Sequence, residues 1–167
     1  MDNLSVEDKK KLATDQTTPP HVLETLSKDE DWEVRANVAE NPNAPTHVLE
    51  NLSKDNNSDV RSSVASNPNA PVNILESLSK DEDWNVRASV AWNKNTLPIL
   101  VEELVNDVDA RVRFAALTTL NPSLPLNIVK NLAVSNEEYD DKNFYSIMKK
   151  YSFTPLHIKE ALELLMS

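Results

Sequence analysis

A chain of 167 residues suits one domain with a real core, or one continuous array. Ten prolines, no glycine and no cysteine exclude a disulfide framework, a thiolate zinc site, a cysteine nucleophile and a glycine-built phosphate loop. The net charge of −10 is concentrated in residues 19–110, where 17 Asp/Glu face 7 Lys/Arg, so this body repels phosphate backbones and suits a basic protein surface.

Residues 1–18 read as a partial unit. Ser5-Val6-Glu7-Asp8 has the form of a capping box, and Leu12-Ala13 stand one period ahead of Val38-Ala39. No apolar run reaches the roughly 20 residues of a membrane span, and this acidic, Lys-bearing start does not read as a signal peptide; a cytoplasmic protein is expected.

From Pro19 onward the chain repeats every 26 residues: Val34-Arg35, Val60-Arg61, Val86-Arg87 and Val112-Arg113 keep that step. So do Leu26, Leu52, Leu78 and Leu104, and Asp29, Asp55, Asp81 and Asp107. A fixed period of this length marks a solenoid, whose units bury their apolar sides against their neighbours. Within the unit 45–71, Pro45 suits a first helical position, and Val48, Leu49 and Leu52 form one apolar stripe. In Thr18-Pro19 and Thr154-Pro155 the threonine reads as the N-cap. The polar link SKDNNSD leads to a second helix with Val60 and Val64 on one face, and Asn67-Pro68 stops it. With no glycine for positive φ, the Asn of Asn-Pro at 41–42, 67–68 and 121–122 is the next most tolerant residue. The spacing thus predicts an all-α solenoid of short helical hairpins as a single domain, 1–167. It comprises the partial cap repeat 1–18, four repeats over 19–124, and a degenerate repeat with a capping helix over 125–167. Pro98 and Pro125 each fall 27 residues after the preceding unit start, which predicts two one-residue slips.

The segment DWEVRANVAENPNAPTHVLENLSKD at 31–55 resembles the variant leucine-rich repeat of bacterial proteins, and is similar to a shortened HEAT repeat in the opening of its second helix. The resemblance covers roughly residues 12–132. It implies a right-handed superhelix, with protein binding as the general theme and the second helices lining the inner face. Some such proteins carry a Cys-rich cluster-binding module; without cysteine, that role does not transfer.

The Arg35, Arg61, Arg87 and Arg113 column, set against Asp29, Asp55, Asp81 and Asp107, reads as a structural ladder between units rather than an anion-binding stripe. Trp32 and Trp84 occupy one position two periods apart, after the N-cap candidates Asp31 and Asp83. Trp92 replaces Glu40 and Ser66 where packing does not demand an aromatic, which makes it the foremost partner-binding candidate. Glu33, Asn37, Asp59, Asn85 and Ser89, with Ser63, fall at outward positions of second helices and would floor a polar, acidic groove. His21 and His47 lie one unit apart, too far to share a metal, and His157 is remote. No catalytic motif is present, and Asp29/Asp31 and Glu102/Glu103 read as solvated acids, so neither a cofactor nor an enzyme activity is expected.

These features favour a monomeric, non-catalytic module docking a protein with a basic surface, without direct nucleic-acid or membrane binding. The alternative is an inhibitor or immunity-type protein whose acidic face mimics nucleic acid. A HEAT-like DNA glycosylase using Trp32/Asp31 or Trp84/Asp83 conflicts with the negative body.

Overall fold

The computed structural model describes residues 4–104 and 106–120, and these form nine helices and no strand. They are α1 (Val6–Thr14), α2 (Pro20–Leu26), α3 (Trp32–Glu40), α4 (Thr46–Leu52), α5 (Ser58–Ser66), α6 (Val72–Leu78), α7 (Trp84–Trp92), α8 (Pro98–Leu104) and α9 (Ala110–Leu120). Short helices of seven residues alternate with longer ones, so each unit is a hairpin: α2/α3, α4/α5, α6/α7 and α8/α9. The lone α1 stands where the second helix of a unit would. The expected C-terminal repeat and capping helix, 125–167, lie outside the described residues.

Close packing runs along the second helices, α1 on α3, α3 on α5, α5 on α7 and α7 on α9. Their small residues permit this approach: Ala39, Ala65 and Ala91 are fully buried at one position of three successive units. Val34, Val60 and Val86, with Val38, Val64 and Val90, fill the space beneath. Each first helix lays two or three apolar side chains onto this layer, such as Val48, Leu49 and Leu52 of α4. The apolar periodicity therefore becomes a continuous core, and burial of each Leu or Val contributes roughly 1.5–3 kcal/mol.

The second helices open on side-chain caps. Asp31, Asn57 and Asp83 accept the backbone N–H of Glu33, Asp59 and Asn85 at 2.7–2.8 Å. In α1, Ser5 Oγ accepts the Asp8 N–H at 3.2 Å and donates to the Asp8 carboxylate at 2.6 Å.

Four local expectations are corrected. Pro19, Pro45 and Pro71 are N-caps with φ of −61 to −63° and ψ of 146 to 149°, one residue outside the helix. Thr18 is not a cap; its hydroxyl is buried and donates to Leu12 O at 2.7 Å. Neither are the Asn residues left-handed: Asn41 and Asn67 have φ −65° and −63° with ψ 124° and 127°. Glycine is dispensable because the first helices end on Ser27, Ser53 and Ser79 in right-handed geometry. Each serine hydroxyl donates back to the carbonyl three residues earlier, at 2.8–2.9 Å. Finally, there is no slip at Pro98. Leu97 O accepts from Leu100 and Val101 as Pro71 O accepts from Ile74 and Leu75, so the 26-residue step continues and Pro98 is the first residue of its helix. The second expected slip, at Pro125, lies outside the described residues.

Candidate interaction surface

The arginine column forms a ladder between units. Arg35 Nε and Nη2 donate to Asp55 Oδ2 and Oδ1 at 2.7 and 3.0 Å, a two-pronged pair across the unit boundary. Its Nη1 donates to the carbonyls of Asp29 and Glu30, closing the link of its own unit. Arg61–Asp81 and Arg87–Asp107 repeat this arrangement with 2.7 and 2.9 Å bonds. At the N-terminal end Lys9, one period before Arg35, reaches Asp29 at 2.7 Å. Arg113 donates to the carbonyls of Asp107 and Val108.

Burial raises the pKa of Asp55, but the Arg35 fork, the Asn57 backbone N–H and the charges of Arg35 and Arg61 outweigh it and hold the carboxyl below its ordinary value. For Asp81, burial is likewise outweighed by Arg61, the Asp83 N–H and Arg87, and its pKa is lowered too. Groups with depressed folded pKa values contribute stability that is present above the unfolded value of about 3.9 and lost as pH falls through the folded value. Urea midpoints are therefore expected to hold from pH 7 to about 5 and to drop below pH 4. A flat profile down to pH 3 would contradict the ladder.

Five of the eight partner-binding candidates meet in one groove on the second helices. Trp32, Glu33, Ala36, Asn37 and Glu40 of α3, Asp59, Ser62 and Ser63 of α5, and Asn85 of α7 line one open groove of about 460 Å³. Trp32, Glu33, Asn37, Asp59 and Asn85 are thus brought together. Ser89 lies at its edge, its hydroxyl 2.9 Å from that of Ser62, which also accepts from Asn85 Nδ2 at 3.1 Å. Ser63 donates to Glu40 Oε1 at 3.0 Å, and Lys10 of α1 pairs with Glu33. Ala36, Glu40 and Ser62 join the groove without being sequence candidates. Their signal is helical spacing: Glu33, Ala36, Asn37 and Glu40 fall at i, i+3, i+4 and i+7 on one face.

The three tryptophans differ. Trp32 is 40% exposed at the groove's edge. Trp84 packs partly against the core, and the Arg111 guanidinium lies 3.5 Å from its ring centroid. Trp92 packs half-buried against the core and does not line the groove. Of the three, Trp32 is the one that lines the groove.

Among the described residues no three His, Asp or Glu side chains could hold a metal ion, and no helix is long and apolar enough to cross a membrane. His21 and His47 are exposed; His47 Nε2 lies 3.6 Å from a Glu24 carboxylate oxygen across neighbouring units. His157 lies outside the described residues.

No curated protein and no solved structure matches the chain. Residues 32–56, which run from the first residue of α3 through α4 into the following link, match the family model described as leucine rich repeat variant, and this matched segment is about one 26-residue unit long.

Proposed function

We propose that this chain is a non-catalytic, cytoplasmic scaffold that docks a protein partner with a basic surface through the groove over α3, α5 and α7. The observation that carries this reading is the composition of the groove: Glu33, Glu40 and Asp59 around a half-exposed indole. Acidic rims steer basic partners, and tryptophan is enriched among the residues that dominate binding energy. The scaffold itself is supported by the arginine ladder and the apolar columns, in neither of which Trp32, Glu33, Glu40 or Asp59 takes part.

Capture of the partner from a cytoplasmic lysate of the source cell tests the reading. The variant Glu33→Gln/Glu40→Gln/Asp59→Asn keeps side-chain shape and one acceptor oxygen on each residue while removing the charge. It is expected to weaken capture about tenfold, roughly 1.4 kcal/mol, and to flatten its salt dependence. Duplex DNA at the same ionic strength is expected to leave the complex intact. Binding indifferent to both salt and the triple variant would overturn the proposal.

A further inference from the structure

The array contains an internal example of what its acidic groove can hold. Trp84 is the first residue of α7, and the Arg111 guanidinium covers its ring at 3.5 Å. Arg111 Nε and Nη2 also donate to both carboxylate oxygens of Asp109, at 2.9 and 2.6 Å. A planar cation thus lies against an indole face with a carboxylate at its edge, the arrangement in which cation–π attraction and a forked ion pair act together.

Two periods earlier the aromatic is retained as Trp32, but the cation is not: the position of Arg111 is held by Asp59, and that of Asp109 by Asn57. An acid stands where the internal guanidinium would stand. Trp32 stays 40% exposed, and the Glu33 and Asp59 carboxylates are exposed beside it in the same groove. Glu33 already pairs with Lys10 of α1, so the Asp59 charge and the aromatic surface left open are those that an incoming arginine would complement.

We propose that Trp32 and Asp59 form a receptor for an arginine side chain on a basic segment of the partner, deepening the docking reading on which it rests. The guanidinium stacks on the Trp32 indole and donates to the Asp59 carboxylate. Arginine is favoured over lysine because its planar, weakly hydrated fork can stack and bond at once. One indole, rather than several, offers no enclosing cage for a methylated ammonium.

The test follows the tryptophan indole N–H resonances by NMR at low salt, with a short oligo-arginine peptide as probe and matched oligo-lysine and oligo-serine peptides for comparison. Trp32→Leu assigns its resonance. The arginine probe is expected to shift the Trp32 signal saturably, leave the Trp84 signal in place, and bind several-fold more tightly than the lysine probe. Asp59→Arg supplies the cation internally, as Arg111 does for Trp84, and is expected to lower probe affinity at least tenfold; Trp32→Leu is expected to do the same. An unmoved Trp32 resonance, equal affinity for both cationic probes, or wild-type binding by either variant would overturn the receptor. A cellular partner lost with the triple neutral variant but kept by Trp32→Leu and Asp59→Arg would sink the receptor while docking stands. Arginine binding as described without any captured protein would have the opposite meaning.

Discussion

Replacing Arg61 with leucine is expected to destabilise the array by about 3–5 kcal/mol, a large share of the 5–15 kcal/mol that holds a domain of ordinary stability. The side chains of Arg61 and Asp81 are only 11% and 9% exposed. Removing the guanidinium leaves the Asp81 carboxylate buried without its cation. It also strips the Asp55 and Asn56 carbonyls of their 2.8 and 3.3 Å donor. One substitution therefore loosens both the boundary between two units and the link inside one of them. Arg61→Lys keeps the charge and is expected to cost about 1–2 kcal/mol, because an ammonium cannot reach both carboxylate oxygens and both carbonyls together. Lys9 shows that a lysine serves at the more open N-terminal rung. Urea unfolding followed by helical circular dichroism checks the order: leucine far below lysine, lysine below wild type. Combining Arg61→Leu with Asp81→Asn should cost less than the sum of the two, since the neutral amide no longer needs the missing cation and can still accept the Asp83 N–H. Strict additivity would mean that the two groups do not act as a pair.

The ladder is legible in the sequence because both partners recur at the same step; a strict Arg column beside a strict Asp column is what pairing between successive units requires. The apolar core is legible for the same reason: valines and leucines at fixed phase must face something that repeats with them. The ends of elements are less so. Proline fits both the first helical position and the extended cap that precedes it, and the two differ in ψ, which proline does not fix; Pro45 therefore sits one residue outside the helix that its identity suggests it begins. The apparent slip at Pro98 arises from following the proline rather than the chain; Leu97 takes the cap position with no change of period. On the groove, helical spacing recovers the outward positions of the second helices but not the exposure of each tryptophan. Whether an indole is covered depends on the residue 27 positions later, Asp59 for Trp32 and Arg111 for Trp84. The asparagines are the least legible device. Asn-Pro suggests local punctuation, a residue forced out of the helical region by the proline after it. The clue to more is Asn93, which keeps the 26-residue step although Lys94 follows it in place of proline.

Asn67 makes the hidden role of these asparagines measurable, because Asn67→Asp is expected to cost about 3–5 kcal/mol at neutral pH despite its near-identical shape. The Asn67 side chain is buried, and its Nδ2 donates to Ala39 O at 2.6 Å and to Asn41 O at 3.0 Å, both in the preceding unit. Its Oδ1 accepts the Asn69 N–H at 2.7 Å. Asn41 and Asn93 repeat the arrangement toward their own preceding units, so a second ladder runs along the array at the other end of the second helices. In the aspartate variant an anionic oxygen faces two carbonyl oxygens with no donor between them, in a buried site. Burial and those carbonyls raise the folded pKa of the introduced carboxyl, so the loss is full at pH 7 and shrinks as pH falls through that raised value. This trend is opposite in sign to that of Asp55 and Asp81, and comparing urea midpoints of variant and wild type at pH 7 and pH 5 separates the two. Asn67→Ala is expected to cost less, about 2–3 kcal/mol, because it strands carbonyls without burying a charge. Asn69→Ala is the reference: its amide donates to Pro42 O at 2.7 Å on an exposed surface, and its loss should cost about 1 kcal/mol or less. Should Asn67→Asp prove no worse than Asn69→Ala, the buried asparagines would be caps of single helices and the units would be held together by valine, leucine and arginine alone.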